Sequence, residues 1–143
     1  MEKYRIIIDT NLWISLLIGK RLSELRMLCN SDMIDVYICD TLIDEFLRVA
    51  SHEKIRKYAG HERVVQTLEL MKASCILSSV KEGVVASGLR DANYLYLIAL
   101  AETVNADYIL TGDKDLLSLQ SHQKTFIVTY KEFIVIFENA NYL

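Results

Sequence analysis

The chain has 143 residues, of which 52% are hydrophobic and 24% charged, and its formal net charge is −3. That length is enough for one domain with a buried core, and the composition excludes a disordered chain. The acidic balance excludes a surface built throughout to hold nucleic acid, while leaving room for a local basic stripe.

In chain order, Tyr4–Ile8 is a β-branched run that predicts a strand buried on both faces, as in a parallel sheet. Residues 12–18 predict a short helix after a Thr10/Asn11 cap. Leu22, Leu25 and Leu28/Cys29 carry helical spacing over Leu22–Asn30. A second strand is expected at 34–39. Asp40 and Thr41 can then cap a helix with the apolar face Leu42, Ile43, Phe46, Leu47 and Ala50. Residues 53–57 form a charged turn, and Val65, Leu68 and Met71 mark a helix over 62–73.

Weaker strand signals lie at 75–77 and 83–85. An apolar helix is expected at 93–103 and a strand at Tyr108–Leu110, followed by a last strand at 126–129. Residues 132–137 fit either helix or strand. Proline is absent, so Gly, Asn, Asp and Ser supply the punctuation. Strands alternating with helices predict one α/β domain over residues 1–143, a three-layer α/β/α sandwich with a mainly parallel central sheet.

The longest apolar run, from Tyr94 to Ala101, is far below the roughly 18 residues of a membrane span, so no membrane association is expected. Asp9 breaks the first apolar run before it could act as a secretory leader. Cys29, Cys39 and Cys75 are odd in number, lack CxxC spacing and sit beside Leu28, Ile38 and Ile76. They are expected to be buried, reduced thiols, which points to a cytoplasmic setting.

Four acids stand at element boundaries: Asp9 after the first strand, Glu45 in the helix after the second, Asp91 before the apolar helix, and Asp113 after Tyr108–Leu110. Taken singly, Asp9 and Asp91 read as a turn and a helix cap. Glu45 has apolar neighbours one turn away, Leu42 and Val49, whereas Asp44 is expected to face solvent. Two carboxylates about 4 Å apart repel by roughly 4 kcal/mol at an effective dielectric near 20. Several of them in one cleft therefore require protonation or a cation. Oxygen-only ligands select Mg²⁺ or Mn²⁺. His52, His61 and His122 lie outside these segments and read as surface residues.

Together these pieces resemble the PIN-domain nucleases. The matching segments are Ile6-Ile7-Ile8-Asp9-Thr10-Asn11, Glu45-Phe46-Leu47-Arg48-Val49, Asp91-Ala92-Asn93 leading into Leu97-Ile98-Ala99-Leu100-Ala101, and Ala106-Asp107-Tyr108-Ile109-Leu110-Thr111-Gly112-Asp113-Lys114-Asp115-Leu116-Leu117. They span nearly the whole chain in order, and the last is the most specific. The likeness is nearest to small bacterial PIN proteins described as toxin components of toxin–antitoxin pairs. One departure is visible: relatives often carry an Asp-Pro turn with further acids before the third motif, where this chain has Gly88-Leu89-Arg90-Asp91-Ala92. That bears on ion affinity and on the number of ions.

The resemblance implies a central sheet of four or five strands and Mg²⁺- or Mn²⁺-dependent hydrolysis of RNA. Asp9, Glu45, Asp91 and Asp113 would be catalytic, with Asp9, Asp91 and Asp113 holding the ion and Asn11, Thr111 and Asp115 surrounding them. It leaves room for an antitoxin partner or a homodimer. Arg48, Lys54, Arg56 and Lys57 are candidates to contact RNA, although a charge run also fits a solvated face. A haloacid-dehalogenase-type phosphatase needs Asp-x-Asp after the first strand, and Asn11 replaces the second acid. A receiver-like phospho-acceptor lacks its acid pair for the same reason. The remaining alternative is a non-catalytic PIN-like module that binds nucleic acid or protein.

Overall fold

Ile6, Ile7 and Ile8 are all fully buried, so the strand that carries them, β1 (Tyr4–Ile8), has both faces covered. That is the environment of a central parallel strand between helical layers. The computed structural model describes residues 3–141 and places β1 in the middle of a six-stranded sheet. In chain order the other strands are β2 (Ile34–Ile38), β3 (Ile76–Leu77), β4 (Tyr108–Leu110), β5 (Ser121–His122) and β6 (Thr125–Val128). The spatial order is β3-β2-β1-β4-β6-β5. Every pairing is parallel except the terminal hairpin of β5 and β6. Four longer strands form the body expected from the sequence, and the two-residue β3 and β5 extend its edges.

The helices are α1 (Thr10–Ile18), α2 (Leu22–Asn30), α3 (Asp40–Ala50), α4 (Glu53–Arg56), α5 (His61–Ser74), α6 (Leu95–Val104), α7 (Lys114–Ser118) and α8 (Tyr130–Asn141), with a 3₁₀ turn at Ala92–Tyr94 before α6. Parallel neighbours cannot be joined by a tight turn and need a crossover, which the helices supply. α6 carries the buried Leu97, Ile98, Leu100 and Ala101 and ends at Asn105 in the left-handed conformation, φ 53°, a common way to stop a helix. α8 covers β1 and β4 through an aromatic cluster. Phe133 packs edge-on to Tyr4 at 5.9 Å and to Tyr108 at 5.5 Å between ring centroids.

Several local expectations are corrected. The segment 83–85 is no strand: Val85 is 80% exposed and Gly83 turns the chain with φ +74°. Residues 53–57 contain the short helix α4 rather than a plain turn. The segment 132–137 is helical, because Thr129 and Glu132 exchange hydrogen bonds at 3.0 and 3.1 Å as a capping box. α3 begins at Asp40 itself with no side-chain cap. His122 is not a surface residue, since its side chain is 15% exposed and its Nε2 lies 2.7 Å from Glu102. The cysteines are free, and Cys29 and Cys75 approach to 3.7 Å between Sγ atoms.

The order of the strands positions the site. From β1 the chain moves to β2 and β3 on one side, then crosses to β4 on the other. This reversal leaves a crevice beyond the carboxyl ends of β1 and β4, the place where open α/β sheets bind ligands. Ile8 and Leu110 are paired at those ends. Asp9 and Thr111 are therefore neighbours despite the long sequence separation.

Candidate functional site

Asp9 occupies the cap position of α1 with extended backbone, φ −57° and ψ 142°, yet makes no side-chain cap bond. Its carboxylate accepts instead from the Thr111 hydroxyl at 2.8 Å. Both side chains are buried, Asp9 to 1% exposure. A carboxylate taken from water prefers its neutral form. Burial accordingly lifts the Asp9 pKa to about 6, against the Thr111 hydroxyl and the Asn11 backbone N–H, which lower it. The negative charges of Glu45 and Asp113 raise it further, so these three acids share one electrostatic neighbourhood.

Glu45 reaches that neighbourhood from the middle of α3. Its Oε2 accepts from the Thr10 hydroxyl at 3.2 Å and from the Tyr96 hydroxyl in a closer contact. Thr10 and Tyr96 are themselves 3.0 Å apart. The adjacent Asp44 is exposed. Asp113 caps α7, accepting from the N–H groups of Asp115 at 2.9 Å and Leu116 at 3.2 Å. Its second oxygen accepts from the Tyr94 hydroxyl at 2.9 Å. Desolvation, then the bond to Asp113, raise the Tyr94 pKa, and the charges of Asp9, Asp113 and Asp91 add to this. The phenol thus lies among three of the four acids. Tyr96 is raised likewise, by burial first and its bond to Glu45 second.

Asp91 stands at one remove. Its Oδ1 accepts from the Asn93 N–H at 2.9 Å as the cap of the 3₁₀ turn, and it reaches the other acids only through its effect on Tyr94. Asn11 is exposed, with its amide nitrogen 3.4 Å from the Tyr94 hydroxyl. Asp115 is half-buried in the first turn of α7. Tyr94 and Tyr96 were not legible as site residues, because both fall in an apolar run that reads as helix core. Their only signal is a spacing of three and five residues after Asp91.

The basic candidates separate. Arg48 pairs with Glu45 at 3.8 Å while its side chain is 66% exposed. With Thr41, Asn93 and Tyr96 it lines a cavity of about 360 Å³ opening beside Glu45. Lys54 and Arg56 lie on α4 and Lys57 just after it, beyond the end of α3. At about 1.5 Å per helical residue, α4 begins on the order of 12 Å along the chain from Glu45.

The donor set is entirely oxygen. Among the described residues no group of three or more His, Cys, Asp or Glu side chains is arranged to hold an ion unaided. Carboxylates enter singly, each steadied by a hydroxyl or backbone N–H. Such a set fits Mg²⁺, which binds through one or two carboxylates and keeps several waters.

The mainly parallel six-stranded sheet thus brings the buried Asp9 and the half-buried Glu45 and Asp113 to its switch point. The sequence matches the PIN domain over residues 5–115, and the chain belongs to that family. PIN domains are in general nucleases. An uncharacterized protein of Methanocaldococcus jannaschii is 28% identical over 147 residues, covering 95% of this chain and 93% of the archaeal protein. Among the described residues no helix is long and apolar enough to cross a membrane.

Proposed function

We propose that the chain is a ribonuclease that hydrolyses RNA phosphodiesters with water, using Asp9, Glu45, Asp91 and Asp113 and one or more Mg²⁺ or Mn²⁺ ions. The observation carrying this reading is Asp9: a buried carboxylate, bonded to Thr111 across the sheet and held at the switch point under the charges of Glu45 and Asp113. Asp9, Asp91 and Asp113 would hold the ion. When bound, it supplies a nucleophile from its water and offsets charge on the phosphate. Thr111 orients the Asp9 carboxylate through the 2.8 Å bond. Asn11 and Asp115 flank the centre. Thr10 and Tyr96 fix Glu45, the acid best placed to orient or deprotonate water. Arg48 meets the RNA backbone first, with Lys54, Arg56 and Lys57 farther along it.

The test is cleavage of end-labelled single-stranded RNA by the full chain with Mg²⁺, Mn²⁺ or excess EDTA, beside Asp9→Asn and Asp113→Asn. Metal-dependent cutting lost in both variants is expected. Cutting that persists in EDTA, or an Asp9→Asn protein as active as the parent, overturns the assignment. A toxin role with an antitoxin partner, a homodimer and a cytoplasmic location belong to the same reading. They rest on the resemblance and, for the compartment, on the unbridged Cys29 and Cys75.

A second reading has its own support. The Tyr94 and Tyr96 phenols satisfy Asp113 and Glu45 without an ion, as a non-catalytic module that binds nucleic acid or protein would allow. Intact RNA under every metal condition selects it.

A further inference from the structure

We propose that the cavity on the Thr111 side of the acids is a nucleobase subsite, receiving the base of the nucleotide next to the phosphate held at Asp9 and Asp113. The occupant rests on the ribonuclease reading; the recess itself rests on geometry. Its volume is about 520 Å³, within the range of about 300–1,000 Å³ typical of small-molecule sites. Thr111 and Gly112 form one wall, and the Thr111 hydroxyl is bonded to Asp9. The recess therefore begins one side chain from the acid centre. A Cβ added at Gly112 would meet nothing within 4 Å, so this wall is open to a passing strand.

The other walls suit a flat, largely apolar group. Leu12, Ile134 and Val135 line it, and Val135 is 51% exposed although it is a large aliphatic residue. Tyr130 contributes an aromatic ring, with the Arg21 guanidinium over it at 5.4 Å from the centroid. Glu24 holds both in place: it pairs closely with Arg21 and accepts from the Tyr130 hydroxyl at 3.1 Å. Tyrosine rings and guanidinium planes are the surfaces on which unpaired bases stack. Here they are ordered before any ligand arrives, which lowers the cost of binding.

Charge agrees. Arg21 is neutralised by Glu24 in this recess, which leaves Lys131 as the unpaired cation among its described lining residues, free to receive an adjoining phosphate. A second recess, beside Glu45 and Arg48, is smaller at about 360 Å³ and lined mostly by polar side chains. Through Thr111, bonded to Asp9, the acids adjoin an apolar cavity suited to a base, and through Glu45 a polar one suited to backbone.

The experiment titrates adenosine and uridine 5′-monophosphate, and separately ribose 5-phosphate, into the full chain in EDTA. Binding is followed by amide chemical shifts and calorimetry in the parent, Val135→Trp and Tyr130→Leu. Val135→Trp adds bulk at the recess from an exposed position, and Tyr130→Leu removes the ring while remaining apolar. Either change should weaken mononucleotide binding about 5- to 150-fold, the range of one lost base stack. Ribose 5-phosphate should bind far more weakly than either nucleotide in the parent. Equal binding of sugar phosphate and nucleotide, or parent-like binding by both variants, overturns the subsite. In RNA cleavage, Val135→Trp should raise KM at unchanged kcat; an unchanged KM refutes the subsite and leaves the nuclease reading standing. A parent that binds nucleotides in EDTA but cuts no RNA refutes the nuclease reading and supports the subsite.

Discussion

Replacing Asp9 by Asn should stabilise the ion-free protein, and the gain should depend on pH in a defined way. Burial first, and then the facing charges of Glu45 and Asp113, push the Asp9 carboxyl up to about 6 from its ordinary 3.8, despite opposing hydrogen bonds. A folded pKa above the unfolded one means that the folded state binds the proton more tightly. The associated stability is fully present below pH 3.8 and is lost as pH rises through about 6. Two units at about 1.4 kcal/mol each place the cost of ionising Asp9 near 3 kcal/mol at neutral pH. An asparagine carbonyl can still accept from the Thr111 hydroxyl, and its amide removes the repulsion from the other acids.

Asp9→Asn should therefore match the parent in stability near pH 4 and exceed it by about 1–3 kcal/mol above pH 7. At about 2–4 °C per kcal/mol for a chain of this size, Tm should rise by several degrees. Thermal melts of both proteins in EDTA, from pH 4 to 8, read the difference directly. Adding Mg²⁺ or Mn²⁺ should raise Tm for the parent more than for the variant. A difference between the proteins that is flat with pH, or a variant less stable than the parent at pH 7, refutes the reasoning.

Tyr94→Phe removes the donor to Asp113; a net loss of about 1 kcal/mol of ion-free stability is expected, together with tighter Mn²⁺ binding by calorimetry. Weaker Mn²⁺ binding would show that the phenol supports the ion's site instead of competing for it. Arg48→Glu should weaken RNA binding several-fold, with a smaller salt dependence. Reversing Lys54, Arg56 and Lys57 together should weaken it while leaving the melt unchanged, and unaltered affinity in a filter-binding assay marks that stretch as a solvated face. Phe133→Ala should cost about 3–5 kcal/mol in urea denaturation, because the fully buried ring joins α8 to Tyr4 and Tyr108.

The body of the sheet was legible because its strands are buried on both faces. Ile6-Ile7-Ile8 and Ile109-Leu110 are apolar without alternation, and all five are fully buried. One edge, β5, was not legible, and the other, β3, showed only weakly at 75–77. β5 is built from the polar Ser121 and His122, and its flanking turns put Gln120 and Gln123 at φ 62° and 53°, where no glycine or asparagine announces them. The signal at 75–77 was weak because β3 is two residues long with both side chains exposed, and pairing to β2 decides it rather than burial. The apolar look of 83–85 misled for the opposite reason: hydrophobic residues without a neighbouring strand edge have no ladder to join. For α8, the signal was present in the Thr129 to Glu132 spacing, whose reciprocal bonds select helix.

The acids show why position in sequence carries a site only part of the way. A strand-end aspartate has two uses, to cap the next helix or to face the crevice, and the sequence pattern is the same for both. Asp91 and Asp113 do cap, through Asn93 and through Asp115 and Leu116, so their local role would exist in a protein with no activity. Asp9 directs its carboxylate chiefly to Thr111, keeps no regular cap bond beyond its interaction with the Asn11 N–H, and is buried beside two other acids. Local stability argues against each of these choices. Residues that break the rule their position favours are expected at functional sites, and this is why the proposed function rests on Asp9 first and on Asp91 and Asp113, which also fit an ordinary helix start, second. Tyr94 and Tyr96 follow the same logic in reverse: their rings satisfy the apolar pattern of the helix, and their hydroxyls, invisible to that pattern, do the work of joining Asp113 and Glu45 to it.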